Sequence, residues 1–360
     1  MFCPFCGETI EYSGRFCPFC GEELPNLSAV GENEPIVLKS GNYGQPEFSK
    51  SDDVQFEISE LERELSDIKP SIKVTAYNPK MKYWTELNTL IGLQGVKDSL
   101  SFHINNYKIQ LERQRKHPGL KQQIAFNSLF LGNPGTGKTT VARLVSGILK
   151  QQGMLKGGHC VEVDASNLVS AWIGASAKSA KLAALKAIDG VLFIDEAYAL
   201  AGNGENDHGK DVIDALTPII ENYRDRLVVI LAGYDKEMDT FLKSVNTGFA
   251  SRFQQKIHFD DYNAEELMTI FKMMVKNNYY TLSRDAERIA EAIFMQIFRI
   301  RKQIPQFANA RTVRNLFEKV CARASARVAT STRSNANLDL ITASDLQLSK
   351  KELSAVVGLL

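Results

Sequence analysis

Ser128-Leu129-Phe130-Leu131-Gly132-Asn133-Pro134-Gly135-Thr136-Gly137-Lys138-Thr139-Thr140 decides how the rest of the chain is read. Leu129, Phe130 and Leu131 form a short apolar run that suits a strand buried on both faces. The six residues from Gly132 to Gly137 then lack side chains or favour turning, where a strand must pass into a helix. Gly132-x-x-x-x-Gly137-Lys138-Thr139 is a Walker A pattern. Backbone N–H groups of Asn133, Pro134's successors Gly135, Thr136 and Gly137, and those of Lys138 to Thr140 can encircle phosphate oxygens. Lys138 can reach the β- and γ-phosphates and the Thr139 hydroxyl can sit on Mg²⁺. A helix starting near Gly137 aims its positive dipole end at the same anion. The stretch predicts a nucleoside triphosphate site.

The second half of such a site follows 57 residues after Lys138, in Gly190-Val191-Leu192-Phe193-Ile194-Asp195-Glu196. Four apolar residues read as a central strand, with two carboxylates at its carboxyl end, where ligands bind in open α/β sheets. Asp195 is placed to hold Mg²⁺ through water, and Glu196 to act as general base on the attacking water. Cys160–Val163, Leu227–Tyr234 and Gln255–Phe259 read as further strands, and 264–278, 283–303 and 309–330 as helices. The expected fold is α/β: a parallel-sheet P-loop domain followed by an α-helical lid.

Bulk properties suit such an enzyme. The 360 residues are 44% hydrophobic and 24% charged with a net charge of +1, which argues against a protein that mainly coats nucleic acid. The lid is the exception, with 11 Lys/Arg against 4 Asp/Glu between Arg284 and Arg333. No apolar run spans a membrane and no signal peptide is evident, so a cytoplasmic protein is expected.

At the start, Cys3-Pro4-Phe5-Cys6-Gly7 and Cys17-Pro18-Phe19-Cys20-Gly21 nearly repeat each other. Cys3, Cys6, Cys17 and Cys20 form the ligand set of a closed tetrahedral Zn²⁺ site, a zinc-ribbon-like module over 1–23 whose metal is structural. Iron in a rubredoxin-like site shares that geometry, and redox dithiols are the competing reading. Residues 24–80 have linker composition, interrupted by an amphipathic helix near 54–68 (Ile58, Leu61, Leu65, Ile68) that docks on the body or pairs with another subunit. The α/β domain is expected over 81–261 and the lid over 262–360. In many P-loop ATPases the segment around Leu90–Leu93 closes over the base, which makes Ile91 and Gly92 candidate adenine contacts.

With these elements placed, the chain resembles the AAA+ ATPases, in the branch of CbbX/CfxQ and stage V sporulation protein K. The resemblance covers about Leu87 to Ser349 and is carried by LIGLQGVK, LFLGNPGTGKTTVAR, LVSAWIGASAKSAK, GVLFIDEAYAL, LVVILAGYDKEM, SRF and NARTVRNLFE. It implies ATP hydrolysis by a ring, hexameric in CbbX, acting on a protein client or adaptor. It makes Lys138, Thr139, Asp195 and Glu196 the nucleotide and Mg²⁺ residues. It also makes Arg252 an arginine finger reaching a neighbour's γ-phosphate, and Arg311 the sensor-2 arginine of the lid. Trp172-Ile173-Gly174 matches the pore loop that grips a polypeptide. The usual polar sensor-1 residue is replaced by Ala232-Gly233-Tyr234, and the cysteine module lies outside the resemblance. A loader or initiator on nucleic acid, using the zinc ribbon and basic lid, is the alternative expectation. A nucleotide-dependent switch or scaffold is the third.

Overall fold

The computed structural model describes residues 50–117, 126–169, 174–201, 208–304, 306–330 and 337–358. Cys3, Cys6, Cys17, Cys20, Trp172 and Ile173 therefore lie outside the described residues, as do 24–49 of the expected linker.

The described residues open with helix α1 (Lys50–Glu64) and strand β1 (Lys73–Thr75), followed by α2 (Tyr83–Thr89) and α3 (Gln94–Lys116). Then come β2 (Ser128–Gly132), α4 (Lys138–Gln151), β3 (Cys160–Asp164), the single turn α5 (Ala165–Leu168) and α6 (Ala175–Lys186). Strand β4 (Val191–Asp195) leads through a 3-10 turn to α7 (His208–Asn222), and β5 (Val228–Gly233) to α8 (Asp235–Ser244), the short α9 (Thr247–Ala250) and β6 (Gln255–Phe259). The lid holds α10 (Ala264–Asn277), β7 (Thr281–Leu282), α11 (Arg284–Ile300), α12 (Ala310–Ala329), β8 (Leu340–Ile341) and α13 (Lys350–Val357).

Six strands form one sheet in the order β1-β3-β4-β5-β2-β6. All neighbours are parallel except β1, which pairs antiparallel with β3. The apolar runs are continuous because both faces are covered. Phe130, Phe193 and Ile230 enter the cluster shared with α4 and the lid, while Leu129, Leu131, Ile194 and Leu231 enter the cluster beneath α6, α7 and α8. Lid side chains Phe271, Phe294 and Phe317 belong to the same cluster as the first face, so sheet and lid share a core. The lid's first helix starts on a capping box, with the Asn263 side chain accepting from Glu266 N–H and Glu266 returning to Asn263 N–H.

The expected linker ends sooner than composition suggested. Helix α1 begins at Lys50 rather than near 54, and residues 50–80 are built into the domain. Ile58, Leu61 and Leu65 pack on Leu182, Leu185 and Ile188 of the α6 region, which settles docking in cis. Ion pairs Glu57–Lys181, Glu62–Lys186 and Glu64–Lys178 frame that contact. Farther on, β1 extends the sheet and Tyr77 stacks on Tyr83, ring centroids 5.4 Å apart. No described helix is long and apolar enough to cross a membrane.

Candidate active site

Parallel strands bring the motif residues to one edge. Gly132 ends β2, Asp195 ends β4, and β5 runs between them to Gly233. A cavity of about 420 Å³ opens there, lined by Pro134, Gly135, Gly137, Lys138, Thr139 and Thr140 of the loop and by Asp195 and Glu196. Arg311 closes it from the lid. Nine of the residues singled out in the sequence thus meet around one space.

The loop's conformation follows from its glycines. At φ +144°, Gly132 lies so close to β6 that a Cβ would overlap the Phe259 carbonyl. Gly135, at φ +72°, is pressed against the Ala308 carbonyl of the lid. Gly137 starts α4 in the left-handed region at φ +99°. Only glycine takes these conformations without strain. The Lys138 ammonium is held by the carbonyls of Gly132 and Asn133, both at 2.9 Å. Burial pulls its pKa below the ordinary lysine value, opposed chiefly by the negative charge of Asp195. Thr139 and Asp195 line the same cavity, the hydroxyl-plus-carboxylate pair that suits a magnesium ion on a triphosphate. Glu196 follows at φ +50°, an uncommon backbone for a residue with a Cβ, and its side chain also lines the cavity.

Asn133 and Thr136 serve the loop rather than the cavity. The Thr136 hydroxyl donates to the Asn133 carbonyl at 2.8 Å, and the Asn133 amide donates to Asp261 at 2.9 Å. Ile91 and Gly92 do not line the cavity either. Gly92 packs against Glu266 and Tyr262, whose hydroxyl donates to the Thr136 carbonyl at 3.2 Å, and Leu93 lies beside Gly137. That turn is therefore behind the loop.

Four residues given no role by the sequence, two of them in the sensor-1 region, also meet here. Arg143, Arg314, Gly233 and Tyr234 also line the cavity. Arg314 stands three residues beyond Arg311 on α12, a spacing that shares one helix face and could have been read. Arg143 grips Glu162 through two bonds of 2.6 Å; burial opposes ionisation of Glu162, yet the bonds from Arg143 and Thr75 hold its pKa below the usual range. Tyr234, at the expected sensor-1 region, stacks on Tyr198 with centroids 5.4 Å apart. Burial and the negative field of Glu196 push both phenols up, so both stay protonated beside the carboxylates.

Lid and loop are joined by Asn309. Its side-chain Oδ1 accepts the Tyr262 N–H at 2.9 Å, and its side-chain Nδ2 donates to Asp261 at 2.8 Å and to the Phe307 carbonyl at 3.0 Å. The Ala310 N–H donates to the Gly135 carbonyl at 3.2 Å. Arg311 is thereby fixed one residue beyond a direct backbone bond to the Walker A loop.

Arg252 is elsewhere. It lines a second cavity, of about 380 Å³, with Asn127, Glu221, Arg224 and Gln255. Asn127 precedes β2 and Gln255 begins β6, whereas the nucleotide loop leaves the other end of β2. Five residues of strand, about 17 Å, separate the two ends. The remaining predicted loop residue, Gly174, initiates α6 at φ +75°, with no described side chain or backbone within 4 Å of where a Cβ would lie.

Family models match both halves of the described chain. Residues 128–261 match "ATPase family associated with various cellular activities (AAA)", and 263–355 match an AAA lid domain. The chain is 39% identical over 260 residues to the chloroplastic ribulose bisphosphate carboxylase/oxygenase activase of Cyanidioschyzon merolae, covering 70% of this chain and 85% of that protein. It is 40% identical over 235 residues to stage V sporulation protein K of Bacillus subtilis (65% and 72%), and 40% over 243 residues to CbbX of Cereibacter sphaeroides (67% and 76%). The chain is an AAA+ ATPase of the CbbX/CfxQ and stage V sporulation protein K branch. Its fold matches the FIGL-1 AAA domain with a TM-score of 0.53 at 19% identity, over 83% of this chain and 94% of that one. As a member of that branch the protein hydrolyses ATP, and the cavity lined by the loop, Asp195, Glu196 and Arg311 is the candidate site for that chemistry.

Proposed function

We propose that this AAA+ ATPase works as a ring of identical subunits, a hexamer, that uses ATP hydrolysis to remodel a protein client. One observation carries the reading: Arg252 sits at the amino ends of the strands, about 17 Å along β2 from the chain's own phosphate loop. A guanidinium so placed serves a nucleotide only if that nucleotide belongs to an adjacent copy. The relatives named for Rubisco activation support a protein as the client class.

Within one cleft, Lys138 and the loop amides bind the β- and γ-phosphates, and Arg311 brings the lid's charge to the same end. Thr139 and Asp195 would hold a magnesium ion, which supplies charge neutralisation on the phosphates when bound. Glu196 orients water and takes its proton. The neighbour's Arg252 stabilises the charge that develops on the transferring phosphoryl group. Lid movement, transmitted through Asn309, then drives α6 and the segment 172–174 ahead of it, where Trp172 and Ile173 would hold the client. Base contacts from Ile91 and Gly92 belong to the same proposal, as does a Zn²⁺ site on Cys3, Cys6, Cys17 and Cys20 that recruits client or adaptor.

Arg252→Ala tests the reading. Turnover should fall about 1,000-fold or more with ATP affinity kept, because each chain's own cleft is intact. Glu196→Gln should bind ATP without turnover and hold client in pull-downs. Normal turnover by the Arg252 variant would remove the shared site.

A further inference from the structure

The second cavity holds more than one arginine. Arg224, just past the end of α7, donates from Nη1 to Glu221 Oε1 at 2.6 Å. Arg252 donates from Nη2 to Glu221 Oε2 at 3.1 Å and from Nη1 to the Gly248 carbonyl. Two guanidinium groups thus flank a single carboxylate, one on each oxygen. Arg252's Nε is buried with no hydrogen-bond partner, a donor left unused in a space lined by polar side chains. Arg252 is 23% exposed and braced by backbone, while Arg224 is 47% exposed and held only by Glu221 three residues back.

The charge arithmetic points outward. Among the side chains lining this cavity two positive charges face one negative charge, so the space carries an uncompensated cation. A carboxylate bridging two guanidinium forks occupies the kind of position that two oxygens of a γ-phosphate would take. The transition state of phosphoryl transfer spreads charge over three equatorial oxygens, more than one guanidinium fork can meet. We propose that Arg224 is a second trans-acting cation, which with Arg252 engages the γ-phosphate in the adjacent subunit's cleft, Glu221 holding both arginines in register until that anion arrives. The proposal rests on the ring reading above, and names a residue that reading does not need.

Mixed rings test it. Arg224→Ala should lower kcat about 10- to 100-fold with ATP affinity within about two-fold, since the residue is remote from its own chain's cleft. Arg224→Lys, which keeps charge but not the fork, should recover part of the loss. Lys138→Ala is inactive for a different reason, having an impaired cleft but intact arginines. Mixing it with Arg224→Ala should restore turnover toward roughly a quarter of wild type, the share of random interfaces pairing a sound cleft with a sound arginine. The same mixture with Arg252→Ala is the control. Recovery with Arg252→Ala but not with Arg224→Ala would overturn the role given to Arg224 and leave the shared site standing. Recovery with neither would sink both. Full activity of Arg224→Ala alone, or loss of its ATP affinity, would also refute the proposal.

Discussion

Asn309→Ala should uncouple the lid from the phosphate loop, and the structure gives the size of the effect. Asn309 is fully buried, with φ +45°, a conformation asparagine tolerates better than alanine. Truncation leaves the Tyr262 N–H without its acceptor, at about 1–3 kcal/mol for a buried donor. It also removes the bonds to Asp261 and the Phe307 carbonyl, about 1 kcal/mol each. Adding about 1 kcal/mol of backbone strain for alanine gives a total of about 4–6 kcal/mol. Hydrogen exchange at the Tyr262 amide reads this locally, and that total corresponds to a loss of protection of roughly 1,000- to 20,000-fold. ATP affinity should fall with it, because Arg311 loses its anchor two residues away. Asn309→Gly, free of the strain, should be milder by about 1 kcal/mol. Asn309→Asp keeps the Tyr262 acceptor but sets a second carboxylate against Asp261, and should behave more like alanine than glycine does. Unchanged exchange at Tyr262 in the alanine variant would refute the reasoning, as would glycine proving worse than alanine.

Four further outcomes are expected. Asp189 is gripped by Arg226 through bonds of 2.9 and 2.7 Å, and those bonds, against the opposing effect of burial, hold its carboxyl below the usual range. A depressed folded pKa stabilises above the unfolded value of about 3.9 and is lost as pH falls through the folded one. Asp189→Asn should therefore cost about 1–2 kcal/mol at pH 7, and the difference in urea midpoint should shrink as pH falls below about 4 and close only past the lowered folded pKa. Leu65→Ala, at a side chain 2% exposed, should weaken docking of α1 by about 2–4 kcal/mol and open residues 50–64 to limited proteolysis, since a free 15-residue helix is marginal. High salt should leave that docking nearly unchanged, because the three glutamate–lysine pairs around it are solvent-exposed. Purified protein should carry about one zinc per chain by metal analysis, lost when Cys3 and Cys6 become serine, with basal ATP turnover preserved.

The nucleotide half of the molecule was legible because its signals are local. Strands buried on both faces are apolar throughout, as at Leu129–Leu131 and Val191–Ile194, and Gln255–Phe259 begins and ends where the pattern said. Glycines that cannot be replaced mark the loop, and Asn263 announces α10 through its cap. What escaped depends on partners distant in sequence. Strand β1 is three residues at a sheet edge with mostly exposed side chains, so no alternation reveals it, and its pairing partners, Cys160 to Glu162, lie 85 to 89 residues away. Asn309 sits in a recognised motif, yet its work is done through Tyr262 and Asp261 in another segment. Glu221 and Arg224 look like ordinary surface charges at the end of a helix until Arg252 is brought against them. The adenine end has no comparable local signal: the apolar turn at Leu90–Leu93 packs behind the loop, outside the lining of the phosphate cavity, and its base contacts belong to the proposal rather than to the observed geometry.

The most direct test of the shared active site is ATP turnover per chain, measured over a wide range of protein concentration alongside particle mass. Turnover should rise steeply as chains assemble and plateau once rings are complete. A particle that remains a single chain at every concentration and still hydrolyses ATP at the plateau rate would contradict the account.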